Sequence, residues 1–461
     1  MGDKKGDYMK KYNLFKTILI TLFIFALLSW FIKGGLIYNG EYYKADTSTA
    51  LGIGDIISLP YQSFYLFAEY GLIFILIGGM YGVFNETGVY KRVVDNFASK
   101  FANKKVLFII LTSIFFLTIE SIMGSAAFSF VFVPFFASVL FKLGFNKYKT
   151  MLATVGSIIL ATFASLIGLG SVINYLLGIN SLSLIKVRCL LFLITIVIIG
   201  VTFILKEKKP DSKEENANKL EPTLETTKSS FPLIAIFLLF IAIAGIGLYN
   251  WSECLNIKTF SNISNNVLAN IKILNGFSSL GNWGTKELAI MIIIIILVTG
   301  LAYKIKIKDL IEAFKGGAKP MLKVAFYTTL CSLIFMYYYN SKNGYNFIDT
   351  LVYKIFGGSN DSLVFKTALA TPVENVLLNN PIFLANSLTT YLKTLSTNSS
   401  TLASAALAMQ MTTGLAMMVL PTSYILMAGL SYFEIDYSKW LKFIAKIFLV
   451  LILVTGIIVT I

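Results

Sequence analysis

Two apolar segments of the chain are each interrupted by a glutamate: FFLTIESIMGSAAFSF at residues 115–130 and LATPVENVLLNNPIF at residues 369–383. Placing a carboxylate at the middle of a bilayer costs about 2.5–3.5 kcal/mol on insertion scales, so we expect Glu120 and Glu374 to have a function. Both segments also contain residues that disfavour a continuous helix. One broken segment in each half of a chain is typical of a transporter site.

The composition predicts an all-α polytopic membrane protein. Of the 461 residues, 56% are hydrophobic and 14% are charged, whereas soluble proteins contain about 25% charged residues. An apolar helix of about 20 residues crosses a hydrocarbon core. Such runs recur along the chain, for example at residues 14–32, 66–84, 190–205, 232–249 and 288–303. We count about nine or ten full spans.

The basic residues indicate the orientation of the chain. The formal net charge is +15, but most of the 39 Lys and Arg lie in short loops between spans. Alternating the spans places these loops on the cytoplasmic side when the N-terminus is cytoplasmic, which follows the positive-inside rule. We therefore predict a multi-pass protein of the cell (plasma or inner) membrane. Its partner is the lipid bilayer, and no nucleic acid is needed to explain the charge.

Histidine and cysteine limit the chemistry. The chain contains no histidine and only three widely spaced cysteines, so histidine proton relays, a Ser-His-Asp triad and a disulfide framework are excluded. We predict no metal site and no cofactor, with Na⁺ or H⁺ as the coupling ion of a carrier.

The spans are organised as two halves. We predict an N-terminal half at residues 1–205, a polar cytoplasmic linker at 206–230 and a C-terminal half at 231–461. Basic residues flank both ends of the broken segment at about 106–143, which therefore reads as a re-entrant helical hairpin or as two spans with a tight turn. A second hairpin is expected at about 365–395. The first enters from the cytoplasm and the second from outside, as in two inverted repeats.

The candidate substrate- or ion-binding residues lie in and near the broken segments. Small residues let the backbone approach a ligand, and broken helices direct N–H groups at anions. Alternatives remain for several positions: Glu120 at a helix end in water, Glu374 near an interface, and Asn174 and Gln410 in interhelical hydrogen bonds. Gly78 and Gly82 have a spacing that favours helix packing. The candidates are Glu120, Ser121, Gly124, Ser125, Asn174, Glu374, Asn375, Asn386, Ser387, Gln410, Pro421, Thr422 and Ser423.

Several stretches resemble a known family. They are GDIISLP at 54–60, FILIGGMYGVFNETG at 74–88, Glu120 with Pro134 and GFN at 144–146, FKGGA at 314–318, PTSYILMA at 421–428 and YSKWLKF at 437–443. In these stretches the chain resembles the C4-dicarboxylate anaerobic carrier-like group, which includes the YfcC proteins and relatives similar to arginine/ornithine antiporters. The resemblance implies a secondary carrier of the ion-transporter superfamily, with two inverted halves, two re-entrant hairpins, a homodimer and elevator-like movement.

The substrate is less determined than the fold. GLGSVIN at 168–174 stands where the group often has Asn-Pro-Phe, and the second hairpin lacks the small Ser- and Gly-rich tip of the group. The broken segments contain carboxylates but no arginine, which favours a basic or zwitterionic amino acid over a C4-dicarboxylate. We therefore expect a secondary active transporter of a small organic solute and no enzyme. The alternatives are a membrane-embedded glycan or lipid-linked transferase or polymerase, and an ion channel.

Overall fold

The protein is a bundle of apolar helices. The computed structural model describes residues 13–205, 220–266, 270–272, 276–340, 344–357 and 361–460. Within those residues, eight helices are long and apolar enough to cross a membrane. This confirms the predicted all-α polytopic class. Residues 206–219 of the predicted linker lie outside the described residues.

The first part of the chain ends in a long apolar helix. A short antiparallel β-hairpin, which the sequence did not predict, follows the first helix. The elements are α1 (Asn13–Phe31), β1 (Gly35–Tyr38), β2 (Glu41–Lys44), α2 (Ile53–Glu86), α3 (Val89–Lys100), α4 (Lys105–Met123), α5 (Ala126–Phe130), α6 (Val133–Lys142), α7 (Lys147–Met151), a π-helical turn (Leu152–Gly156), α8 (Ser157–Phe163), α9 (Leu169–Leu176) and α10 (Ile185–Leu205).

The second part contains two further broken segments. Its elements are α11 (Phe231–Leu248), α12 (Trp251–Leu255), α13 (Thr259–Asn266), α14 (Thr285–Ala302), α15 (Ile307–Leu330), α16 (Leu333–Asn340), α17 (Phe347–Phe356), α18 (Leu363–Leu377), α19 (Pro381–Leu395), α20 (Ser399–Val419), α21 (Tyr424–Tyr432) and α22 (Tyr437–Thr460).

Eight span-length helices among the described residues are fewer than the nine or ten predicted. The predicted crossing at 151–177 is interrupted at residues 164–168, so α8 and α9 are each short. The predicted crossing at 321–338 falls on two helices, because α15 ends at Leu330 and α16 begins at Leu333. Helix α15 starts well before this crossing, and its first half carries several charged side chains. Both crossings were predicted as single spans because a hydropathy pattern does not reveal a break within an apolar run.

The order of elements repeats along the chain. A long helix, a short helix, a helical hairpin, a broken helix and a final span occur as α2, α3, α4–α6, α7–α9 and α10. They occur again as α15–α16, α17, α18–α19, α20–α21 and α22. The hairpins span 105–142 and 363–395, close to the predicted 106–143 and 365–395. Their placement in a bilayer as re-entrant elements stays a prediction.

The long helices α2 and α15 pack against each other in antiparallel directions. The Ser63 hydroxyl donates to the Thr329 carbonyl at 2.6 Å near one end, and Gly82 lies against the Ala313 carbonyl near the other. A Cβ added to Gly82 would lie 2.1 Å from that oxygen, and one added to Gly78 would lie 2.5 Å from the Gly317 carbonyl. The predicted packing role of Gly78 and Gly82 is confirmed.

The two broken helices are also antiparallel. Val155 contacts Gly429 near one end, while Phe163 contacts Gly414 nearer the other. A Cβ on Gly414 would lie 2.4 Å from the Phe163 backbone nitrogen, so the helices meet without side chains between them. Most of the segment Ser399–Tyr432 is buried inside the protein. Matched elements that run in opposite directions are what two inverted repeats require.

Replacing Gly317 with alanine is expected to destabilise the protein. The new Cβ would lie 2.1 Å from the Gly78 carbonyl oxygen, and overpacking of this kind costs about 1–3 kcal/mol. The adjacent Gly316 is a matched control, because a Cβ there meets nothing within 4 Å. Thermal unfolding in detergent should show a lower Tm for Gly317→Ala and an unchanged or higher Tm for Gly316→Ala. A Gly317→Ala protein as stable as the wild type would contradict the packing.

Candidate functional site

The first hairpin holds Glu120 at its tip. Its arms are antiparallel, since the Phe108 ring lies 6.2 Å from that of Phe136, while the Phe115 ring, nearer the tip, lies 5.4 Å from that of Phe132. Helix α4 stops at Gly124, whose backbone has φ +63°, a conformation that suits glycine. The Glu120 carboxylate, in the last turn before this stop, accepts a 2.6 Å hydrogen bond from the Ser129 hydroxyl on the returning arm.

The second hairpin repeats this arrangement. Helix α18 stops at Leu378, whose backbone N–H donates to the Glu374 carbonyl at 2.8 Å. The Glu374 carboxylate accepts a 3.0 Å hydrogen bond from the Ser387 hydroxyl on the returning arm. Glu120 is 4% exposed and Glu374 is 1% exposed. The predicted alternative that Glu120 is a helix end in water does not fit this burial.

A central cavity of about 400 Å³ distinguishes the two glutamates. It lies where both hairpin tips, the broken helix α8–α9, helix α21 and the loops around α12 and before α14 converge. Glu120 lines it and Glu374 does not. The second oxygen of the Glu374 carboxylate has no hydrogen-bond partner, and the carboxylate group lies near that of buried Asp349 on α17. Of the two, only Glu120 is therefore placed to contact a solute in this cavity.

Four of the thirteen predicted residues line the cavity: Glu120, Gly124, Ser125 and Asn386. Residues that the sequence analysis did not select complete the wall, including Tyr70, Tyr249, Glu253, Trp283, Asn380 and Tyr424. Asn380 and Tyr424 adjoin predicted segments, at the second hairpin tip and after Ser423. Tyr70 has no such signal, because it comes from α2, far away in the chain.

The backbone break at residues 164–168 is held by the first hairpin. The Ser121 carbonyl accepts hydrogen bonds from the backbone N–H groups of Leu166, Ile167 and Gly168 at 3.2, 3.1 and 2.8 Å. The hydroxyl of Ser165 donates to the same oxygen at 3.3 Å. Ser121 thus acts through its backbone, directly behind the Glu120 position, and does not line the cavity.

Gln410 secures the same break from the other half of the chain. Its amide nitrogen donates to the Phe163 and Ser165 carbonyls, both at 3.1 Å. Asn174 similarly donates to the Ser181 and Ser183 carbonyls at 3.2 and 3.3 Å. Gln410 thus makes the interhelical hydrogen bonds that were the alternative to ligand contact, whereas Asn174 bonds to the loop before α10 rather than to another helix. Neither residue lines the cavity.

The second break, at residues 420–423, is held by the second hairpin. The Asn379 amide donates to the Thr422 carbonyl at 3.1 Å, and the Ser423 hydroxyl accepts from the Leu426 N–H at the start of α21. Pro421, Thr422 and Ser423 therefore form the break itself. Asn375 is buried next to Glu374, and its amide nitrogen has no partner.

Asn380 connects the second tip to the long helix α2. Its amide nitrogen donates to the Tyr70 hydroxyl at 3.2 Å, while its side-chain oxygen accepts from the Ile382 N–H at the start of α19. The Tyr70 ring lies 5.6 Å from that of Tyr424. Two aromatic rings and an asparagine amide therefore form one wall of the cavity, close to the second tip.

The lining of the cavity is acidic and aromatic. Glu120 and Glu253 contribute carboxylates, and among the described residues no lysine or arginine lines the cavity. Arg188, which the sequence analysis did not consider, is fully buried behind α9. Its guanidinium donates to the Gly170 carbonyl at 2.9 Å and to the Ser181 carbonyl at 3.3 Å. Arg188 therefore binds backbone carbonyls and does not line the cavity.

One of three comparisons with known proteins identifies the family. No curated protein matches the chain significantly. A solved structure, titled as the crystal structure of the Alcanivorax borkumensis YdaH transporter with an unusual topology, is 11% identical over 97% of each chain, with a TM-score of 0.41. A family model described as the C4-dicarboxylate anaerobic carrier matches residues 44–461. The chain therefore belongs to the C4-dicarboxylate anaerobic carrier family of membrane transporters, which confirms the resemblance found in its sequence.

Proposed function

We propose that the protein is a secondary active transporter of a small organic solute with an amino group, a basic or zwitterionic amino acid, bound at the central cavity. The observation that carries this proposal is the charge of the wall. Glu120 lines the cavity, and no described lysine or arginine does. A buried carboxylate needs a cationic partner or a proton, and an ammonium group bound there supplies it.

The aromatic rings of the wall support an ammonium ligand. Tyr70, Tyr249, Trp283 and Tyr424 line the same cavity as Glu120. Aromatic faces attract cations by about 0.5–2 kcal/mol, more strongly where water is excluded. Carboxylate and rings together favour the amino end of an amino acid in this cavity.

The helix starts at the cavity can receive the carboxylate end of the same solute. Helices α9 and α19 begin at Leu169 and Pro381, and both of these residues line the cavity. The N-terminus of a helix presents free N–H groups and partial positive charge, which stabilise anions. A zwitterion fits a wall that carries both a carboxylate and helix N-termini.

A C4-dicarboxylate is the second candidate, and family membership favours it. Two helix N-termini and the hydroxyls of Ser125 and Tyr70 are among the groups available to a dianion in this cavity. Glu120 would then have to carry a proton. An amino acid needs no proton on Glu120, and for this reason we prefer it to a C4-dicarboxylate.

In both cases transport would proceed by alternating access of an elevator type. The hairpin tips bond to the two breaks, so these four elements form one module. The packed pair α2 and α15 would form the scaffold. We assign solute contact to Glu120, Gly124, Ser125 and Asn386. The supporting positions are Ser121, Asn174, Glu374, Asn375, Ser387, Gln410, Pro421, Thr422 and Ser423. Coupling to Na⁺ or H⁺, a homodimer and a cytoplasmic N-terminus stay predictions.

Replacing Glu120 with glutamine is expected to reduce uptake of the solute into proteoliposomes. Glutamine keeps the shape of the side chain and its hydrogen bond from Ser129 but loses the charge. A hydrogen bond to a charged group contributes about 1.5–3 kcal/mol, so we expect a roughly ten- to hundredfold loss of apparent affinity.

Glu374→Gln is the matched control for this experiment. Glu374 is also buried and also accepts a hydrogen bond from a serine hydroxyl, but it lies outside the cavity, so its substitution should change the apparent affinity much less. Equal losses in both variants, or wild-type uptake by Glu120→Gln, would contradict solute contact at Glu120. A sustained single-channel current without saturable uptake would instead indicate a channel.

A thermal-shift screen of the purified protein should separate the two substrate classes. A ligand at 100 times its dissociation constant stabilises the folded state by about 2.7 kcal/mol. We expect a rise in Tm with lysine, ornithine or a neutral amino acid, tested with and without Na⁺, and no rise with Glu120→Gln. A rise with succinate or fumarate alone would establish the dicarboxylate instead.

A further inference from the structure

A second cavity, also of about 400 Å³, lies at the end of helix α1 and shares no lining residue with the central one. Three lysines from different parts of the chain converge on it: Lys33 follows α1, Lys44 ends β2, and Lys354 lies on α17. With the N-terminus in the cytoplasm, α1 carries this end to the external side. Basic residues are disfavoured there by the positive-inside rule, so their convergence requires another explanation.

The three elements that carry the lysines are fixed to one another. Gly35 and Asn346 exchange two backbone hydrogen bonds, at 2.9 and 2.8 Å. The Thr350 hydroxyl donates to the Lys33 carbonyl at 2.9 Å. The Tyr42 and Tyr353 rings stack with their centroids 4.0 Å apart and 9° between their planes. The cavity is therefore preformed rather than assembled from mobile side chains.

No described carboxylate neutralises the charge of this cavity. None of the three lysines makes an ion pair within 4 Å to any of the described carboxylates. Side chains alternate along a strand, so Tyr42 and Lys44 share the face towards the cavity, while Glu41 and Tyr43 share the opposite face. Glu41 accepts a hydrogen bond from the Tyr43 hydroxyl there. Three exposed lysines without an ion pair among the described residues therefore line one cavity, which suits an anion that accepts several hydrogen bonds.

An apolar wall adjoins the charge. Phe31 and Ile32 line the cavity, and Phe31 ends the apolar span of α1, where its side chain is 82% exposed. The neighbouring residues of α1 also expose large apolar side chains, among them Phe23, Leu28 and Trp30. The anion site thus lies at the end of a lipid-facing helix, at the level where headgroups meet hydrocarbon.

We infer that this cavity binds the phosphate headgroup of an anionic phospholipid, whose acyl chains lie along the exposed face of α1. A free phosphate matches the lysines but leaves the apolar wall and the exposed face of α1 without a partner. A phospholipid matches both, because its anionic headgroup is attracted by the lysines and its acyl chains by the apolar wall.

The test is a thermal-shift titration of the detergent-purified full chain with phosphatidylglycerol, phosphatidylcholine or inorganic phosphate. The variant replaces Lys33, Lys44 and Lys354 with glutamine. Each lysine near a lipid surface is expected to contribute about fivefold in affinity, so the triple variant should bind phosphatidylglycerol about 100-fold more weakly. The wild type should be stabilised by phosphatidylglycerol more than by phosphatidylcholine, and not by inorganic phosphate.

A charge-matched control replaces Lys258, Lys272 and Lys393, which are exposed and lie outside the cavity, and should keep the wild-type response. An equal loss in both triple variants would show nonspecific attraction and overturn the site. Stabilisation of the wild type by inorganic phosphate alone would overturn a lipid as the ligand. If the triple variant does not fold in detergent, Lys354→Gln alone is titrated, with an expected fivefold loss, and an unchanged affinity overturns the site.

Discussion

A polypeptide that breaks its helices inside a membrane must satisfy the freed backbone groups within the protein or in a water-filled cavity, because lipid tails form no hydrogen bonds. The Ser121 carbonyl meets this requirement for the break at residues 164–168 by accepting from three consecutive backbone N–H groups. The first hairpin tip and the first broken helix are thereby joined at one oxygen atom. Glu120 precedes that oxygen by one residue, so the bond that closes the backbone also fixes the carboxylate at the cavity.

The same requirement is met differently in the second half. There the Asn379 side chain donates to the Thr422 carbonyl, so one amide replaces a cluster of backbone bonds. The tip that follows presents Asn380 to the cavity, while Glu374 stays buried behind it. Two halves with the same order of elements therefore place different chemistry at the solute. An exact functional pairing of the two glutamates does not follow from their equivalent positions.

The sequence predicted those features that are carried by single unusual residues. A glutamate in an apolar run, a glycine or a proline at a break, and the signature at 421–428 each have a local physical meaning, and they located both hairpins and the family. The sequence did not predict most residues of the cavity wall. Tyr70 and Trp283 are ordinary residues of apolar or loop segments, and only the convergence of distant elements brings them beside Glu120.

Polar residues in apolar spans were similarly ambiguous in the sequence. Asn174 and Gln410 could serve a ligand or the backbone, and the distinction depends on which carbonyls lie within 3.5 Å of the amide. Arg188 is a residue that the sequence analysis overlooked. Its charge within an apolar helix was a usable signal, but it sat at the end of a span, where basic residues are common. The folded chain buries it against two carbonyls.

The charge state of Glu120 links the substrate class to the coupling ion. Two unit charges 4 Å apart interact by about 4 kcal/mol at an effective dielectric constant of 20. An ionised Glu120 would therefore repel a dianion in the cavity by an amount comparable to a useful binding energy, and attract an ammonium group by the same amount. A dicarboxylate could bind only with a proton on Glu120, so its transport would carry that proton. An amino acid would bind the ionised form, and its transport would then be coupled to another ion or to exchange. The two substrate classes thus require opposite charge states of one side chain.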